Sequence, residues 1–234
     1  MTALVEMKNV LVVAAHPDDE ILGCGGTIAK HVNAGDPVQI LIVAEGSTSR
    51  QQERDRAQVR DELSALAEAA QTAGSILGAA DVELLDLPYN RLKSLNRLDL
   101  IKRIEERVKR HQPDCVYVHH AGDVDVDHHR LHEAVVTACR PTPDQVVKRL
   151  LSVEVESSTE WQPPGAAPSF HPNWFVDSSD QWEHKREALM AYSTEMRDEP
   201  HTRSMEASEH LARWRGAHVG VEDPEEIYLL LQQL

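Results

Sequence analysis

Aromatic residues are scarce in this chain of 234 residues: two phenylalanines, four tyrosines and four tryptophans, 4% in all. Any core must therefore be aliphatic. Basic residues are also outnumbered, 24 against 39 acids, for a formal net charge of −15. A surface so negative repels phosphate backbones and anionic headgroups, which argues against nucleic acid and membrane as general partners. No apolar run reaches the roughly 18 residues that a bilayer span requires. Residues 1–9 lack the basic and long apolar regions of a secretory leader. The three cysteines, Cys24, Cys115 and Cys139, form no C-x-x-C pair, which speaks against a disulfide framework and fits a reducing cytoplasm. Neither G-x-G-x-x-G nor G-x-x-x-x-G-K-[ST] follows the first apolar run, so nucleotide binding of those kinds is not expected. With no internal repeat and no long linker, the expectation is one domain over 1–234. Its core would lie in 8–156, with cap and rim elements in 157–234.

What is present is organised around Val10-Leu-Val-Val-Ala-Ala-His16-Pro17-Asp18-Asp19-Glu20. A β-branched apolar run reads as a buried strand, and it ends in one imidazole and three carboxylates. Pro17 marks a turn, and Ile21 to Ala34 then reads as a helix with Leu22, Ile28, Ala29 and Val32 on one side. Further strands are expected at 38–44, 82–85, 115–119 and 149–156, with helices at 55–77 and 98–109 between them. That alternation predicts an α/β fold, a mostly parallel sheet with helices on both faces and the strand order 3-2-1-4-5. The ends of the first and fourth strands then flank the topological switch point, where such sheets bind ligands. Residues 162–172, rich in proline, read as a surface rim; 173–176 reads as a short strand, and 180–192 and 205–215 as helices. The apolar tail 226–234 reads as a last strand, either a homo-oligomer interface or a covered edge.

A second chemical cluster follows the fourth strand. Four histidines fall within eleven residues, His119, His120, His128 and His129, interleaved with Asp123, Asp125 and Asp127. The acids lack the glycine and glutamate that complete an EF-hand loop. A helix is expected over 128–140, capped by Asp127. Histidines and an aspartate drawn from two strand ends are a set that hydrolytic zinc sites use, with the fourth position left to water. A carboxylate outside the metal shell would move the proton, and the adjacent Asp18 and Asp19 can divide those two tasks.

Ala15-His16-Pro17-Asp18-Asp19-Glu20, with Gly23 and Gly25-Gly26-Thr27 after it, resembles the signature of the PIG-L/LmbE family. His119-His120-Ala-Gly-Asp123 and Asp127-His128 match its second signature, and Ile76-Leu77-Gly78, Leu87-Pro88 and the segment 192–220 are also similar to bacterial members. The resemblance implies a Rossmann-like fold and a zinc-dependent N-acetylglucosaminyl deacetylase. It implies that His16, Asp19 and His128 hold one Zn2+ (or another divalent transition metal) and that Asp18 is the general base. Two positions depart from the pattern. Asp125 stands where many members have Asn or His, so oxyanion stabilisation would fall more on the metal or another donor. His129 stands where arginine is frequent, which leaves His129 as a rival to His128 for the metal. His120, Asp123 and Asp125 are near enough to orient ligands or meet substrate. Arg50 and Arg54, or Arg60, are candidates to hold a substrate phosphate or hydroxyl. His201-Thr202-Arg203-Ser204 and His218 are candidates to close the pocket.

The expected reaction is removal of acetyl from a small-molecule N-acetylated amino sugar, giving acetate and a free amine. The rivals are hydrolysis of another N-acyl small molecule, or carbohydrate or metal binding without catalysis. The spare carboxylate at Asp18 favours catalysis, since binding alone needs none beside the ligands.

Overall fold

A computed structural model describes residues 9–46, 57, 59–221 and 224–232. Among the described residues the chain forms seven strands and six α-helices. In order they are β1 (Val10–Ala14), α1 (Asp19–Asn33), β2 (Val38–Ala44), α2 (Arg60–Leu77), β3 (Asp81–Leu87), α3 (Arg97–His111) and β4 (Cys115–His119). Then come α4 (Val126–Ala138), β5 (Arg149–Val153), β6 (Trp174–Asp177), α5 (Trp182–Ala191), α6 (Met205–Val219) and β7 (Pro224–Gln232). The sheet runs β3-β2-β1-β4-β5-β7-β6. Its first five strands are parallel, in the order expected from the strand–helix alternation. β7 lies antiparallel between β5 and β6. The tail is thus an interior strand rather than an edge, because β6 adds a further strand beyond it.

Helices cover both faces because β1 is apolar on both. Val10, Val12 and Ala14 pack toward Ile21 and Ile28 of α1, Ala70 and Leu77 of α2, and Leu189 of α5. Leu11, Val13 and Ala15 pack toward Leu100 and Ile104 of α3 and Leu131 and Val135 of α4. This is the pattern of parallel strands buried on both sides. The two layers are almost wholly aliphatic; Tyr117 and Tyr192 are the aromatic rings among their fully buried side chains. On the first layer His31 of α1 joins the sheet through Tyr117 Oη at 2.9 Å and the following turn through Asp36 at 2.8 Å.

Two boundaries differ from the sequence reading in ways that matter for the site. β5 stops at Val153 rather than Glu156, because the Val155 N–H donates to Thr159 Oγ1 (3.0 Å) and the chain turns back. α1 is broken: Cys24 has φ −155° and ψ 29°, outside the helical region. Its neighbours are glycines because there is no room for more. A Cβ on Gly23 would lie 2.6 Å from Val153 Cγ2, and one on Gly26 2.7 Å from Ser178 Cβ.

Candidate active site

β1 and β4 are neighbours in register, Val13 beside Val118, so the turn after one strand faces the loop after the other. At that turn Asp18 adopts φ 103°, a left-handed conformation rare outside glycine and concentrated at functional sites. The strain is held from several sides. The Asp18 N–H donates to Glu20 Oε2 (3.1 Å), and Tyr192 Oη lies 2.6 Å from the other Glu20 oxygen. The Asp18 carbonyl accepts from the N–H groups of Ile21 and Leu22. Burial pushes the Glu20 carboxyl up to about 8 despite the Tyr192 bond. Glu20 and Tyr192 are therefore scaffolding for the turn.

His16, Asp19 and His128 converge, with donor atoms all within 4.8 Å of one another. Asp19 Oδ2 lies 3.3 Å from His16 Nδ1 and 3.1 Å from His128 Nε2. Each imidazole is gripped on its far nitrogen by a carboxylate: His16 Nε2 by Asp127 at 3.2 Å, His128 Nδ1 by Asp123 at 3.0 Å. Carboxylate–histidine pairs of this kind fix the ring and its tautomer and make the inward nitrogen a better metal donor. Asp123 is itself fixed by Ser158 Oγ (2.8 Å) and Thr159 Oγ1 (2.7 Å), and Asp127 by the Leu92 N–H (2.9 Å). Behind them His119 stacks on His128 with centroids 3.8 Å apart. The Ala15 N–H donates to His119 Nε2 (2.8 Å), which places the His119 proton on Nδ1. Burial holds that ring neutral, its pKa pushed down to about 3.

The electrostatics favour a cation. Burial opposes charge on His128, yet Asp19 and Asp123 outweigh it and hold the imidazolium well above its ordinary range. His16 is likewise opposed by burial and raised by Asp127 and Asp19, to about 9. Asp19 Oδ1 is buried and has no hydrogen-bond partner. Two nitrogens and a carboxylate oxygen match the donor types of a three-ligand zinc site, and the orphaned oxygen fits a metal beside it. Asp18 stands next to this set, 1% exposed, with Oδ2 3.0 Å from Arg203 Nη1. Burial pushes its carboxyl up to about 7 against the pull of Arg203, within the range where a general base works. Arg203 is held in turn by Ser157 Oγ at 2.7 Å.

Of the other residues singled out in the sequence, some are here and some are not. His128 is turned inward toward His16 and Asp19, while His129, its rival in the sequence, is exposed. Asp125, not Asp127, caps α4: its carboxylate accepts from the N–H groups of Asp127 (2.8 Å) and His128 (3.3 Å). The expected cap, Asp127, lies two residues further in and supports His16 instead. Asp123 orients His128. His120 is tied to the rim, Nε2 to the Pro168 carbonyl at 2.9 Å with its ring edge-on to Phe170. His218 is exposed near the end of α6, against Trp214, and does not join the cluster. Arg50 and Arg54 lie outside the described residues. Tyr89, whose ring meets His16 edge-on at 4.3 Å, carried no signal in the sequence, and the motif's own Glu20 was not assigned a part.

Comparison with known proteins bears on what this arrangement does. The chain is 28% identical over 193 residues to the 4-oxalmesaconate hydratase of Pseudomonas putida, covering 78% of this chain and 72% of that protein. It is 27% identical over 209 residues to the diacetylchitobiose deacetylase of Thermococcus kodakarensis, covering 81% and 71%. The N,N'-diacetylchitobiose deacetylase structure from Pyrococcus horikoshii superposes with a TM-score of 0.76 over 97% of this chain and 85% of that one; at 18% identity it speaks for the fold alone. The family model described as PIG-L, GlcNAc-PI de-N-acetylase, matches residues 11–139, more than half of the sequence and the span that holds both chemical clusters, and the chain belongs to that deacetylase family.

Proposed function

We propose that this chain is a zinc-dependent amidohydrolase that removes the acetyl group from an N-acetylglucosamine-type amino sugar. The observation that carries the reading is the convergence of His16, Asp19 and His128 beside a buried carboxylate, Asp18, that the cluster does not use. Zinc held by those three residues would supply Lewis acidity, acidifying water and polarising the acyl oxygen. Asp18 takes the proton from the attacking water and returns it to the amine as the C–N bond breaks, leaving acetate and a free amine. Arg203 keeps the Asp18 carboxylate ionised and aimed while the base waits for its proton. Asp123 and Asp127 hold the two imidazoles so that their inward nitrogens stay free for the metal. Rim residues around His120, Pro168 and Phe170 meet whatever the sugar is attached to.

A second reading is favoured by the similarity to a hydratase. The same base could draw a proton from water that adds across a conjugated double bond, with Arg203 near a substrate carboxylate. One experiment separates them. Purified protein with one zinc per chain is offered N-acetylated hexosamines and, separately, unsaturated dicarboxylates. Acetate release that disappears in Asp18→Ala while zinc stays bound supports the deacetylase reading. Loss of the conjugated absorbance without acetate supports hydration. His16→Ala and His128→Ala should lose metal and activity together; retained metal in both removes the assignment.

A further inference from the structure

The break in α1 is bridged by an ion pair from the far end of the chain. A regular helix pairs the Leu22 carbonyl with the Gly26 N–H. Here the Leu22 carbonyl accepts from Lys185 Nζ of α5 at 2.8 Å, and the Gly26 N–H donates to Glu225 Oε1 of β7 at 2.8 Å. The Thr27 N–H donates to the other Glu225 oxygen at 2.5 Å, and Lys185 Nζ sits 2.9 Å from Glu225 Oε1. Both side chains are buried, 5% and 6% exposed. The carboxylate thus caps the second half of α1, and the ammonium caps the first half, which carries Asp19 and Glu20.

Stability alone does not explain this device. A buried ion pair is weak support for a fold, because desolvating the two charges offsets most of their attraction. An uninterrupted helix would need neither charge, nor the glycines at 23, 25 and 26, which are poor helix formers. What the break does is set the direction of the first turn independently of the rest of α1. That turn must place Asp19 against His16, just before it in the chain, and His128 of α4 while Asp18 keeps its left-handed backbone.

We propose that Lys185 and Glu225 are positioning residues for the metal centre, fixing the angle of the first turn of α1 through its broken rung. The inference rests on the functional reading above. Its test is zinc affinity, measured on apo-protein by competition with a chromophoric chelator, with kcat and KM taken separately. The double variant Lys185→Met/Glu225→Gln removes both charges and strands neither. It should bind zinc about tenfold or more weakly, the loss usual for residues that orient metal ligands. Its kcat should fall with KM held, and amide exchange at Gly26 and Thr27 should quicken. Val108→Ala, which opens a cavity in α3 on the opposite layer, is the control. It should lower Tm with zinc affinity unchanged. If the double variant does not fold, Glu225→Asp, which keeps the charge beside Lys185 but draws the carboxylate back from the Gly26 and Thr27 N–H groups, should show the same direction. Wild-type affinity in the folded variants, or an equal loss in Val108→Ala, overturns the inference. A wild-type protein that binds no zinc overturns the functional reading instead.

Discussion

Arg203→Met is the perturbation that bears most directly on the assignment of the base. Arg203 Nη1 lies 3.0 Å from Asp18 Oδ2; the arginine side chain is 20% exposed and the aspartate side chain 2%. At that separation the Coulomb attraction is on the order of 5 kcal/mol with an effective dielectric of about 20. Because the guanidinium reaches solvent, water would replace part of it, and roughly 2 kcal/mol survives as a net effect, about 1.5 pH units. The sign follows from the chemistry. Burial raises Asp18 to about 7 and Arg203 pulls it down, so removing Arg203 raises it further. A base acts when deprotonated, so the acid limb of kcat/KM should move up by about one to two pH units. At neutral pH the variant should lose about tenfold or more in rate and regain it as the solution becomes alkaline. Arg203→Lys, a point charge without the fork that also reaches Ser157, should fall between the two. The assay is the pH profile of acetate release. An unmoved acid limb would refute the tuning of Asp18 by Arg203. A loss of equal size at every pH would mean that Arg203 binds substrate rather than the base.

Three further outcomes are expected of the same molecule. Removing zinc with a chelator should lower Tm reversibly, and zinc at 100 times its Kd should restore about 2.7 kcal/mol. His128→Ala should show no zinc-dependent shift, and calorimetry of the two proteins decides it. Gly122→Ala would put a Cβ 1.8 Å from the Pro168 carbonyl oxygen, so the rim must move and the His120–Pro168 bond with it. A stability cost of about 1–3 kcal/mol and a raised KM with full metal content are expected; an unchanged KM would detach the rim from substrate binding. His31 is the group to watch in acid. Burial lowers its pKa in the folded state against the pull of Asp36, so the unfolded chain takes up the proton first. Stability that is complete above about pH 6.5 should drain away as pH falls toward the folded value. Urea melts at pH 7.5 and 5.5 should show a smaller acid loss in His31→Gln than in wild type.

The fold was legible because its evidence is local. Val10–Ala14, Val38–Ala44 and Cys115–His119 announce themselves as buried strands, and the helices between them leave few topologies open. His16, Asp18 and Asp19 could be singled out as candidates for the same reason: they fall within four residues directly after an apolar strand. What could not be read is what acts across distance. Arg203 meets Asp18 from 185 residues away, Tyr192 meets Glu20 from 172, and Glu225 meets Gly26 from 199. No periodicity encodes such pairs.

The misassigned cap shows how narrow the margin is. Asp125 and Asp127 are the same residue type two positions apart, and either can accept from a helix N-terminus. Choosing Asp127 would have started the helix at His128 and spent that carboxylate on backbone N–H groups. Starting it at Val126 frees Asp127 to hold His16 and leaves His128 facing inward with Asp123 behind it. The departure at Asp125 thereby acquires a physical reading. A residue engaged by two backbone N–H groups is not poised to stabilise charge on a substrate, so the help that histidine can give at that position must come from elsewhere. Among the described residues the cation beside the base is Arg203, already committed to Asp18 and to Ser157. Oxyanion stabilisation in the proposed reaction would therefore rest chiefly on the metal. Replacing Asp125 by His should then raise kcat only if the α4 cap survives the change, and Asp125→Asn, which keeps the cap, should leave kcat near wild type. A severe loss of kcat in Asp125→Asn with α4 intact would show that the carboxylate itself takes part in the reaction.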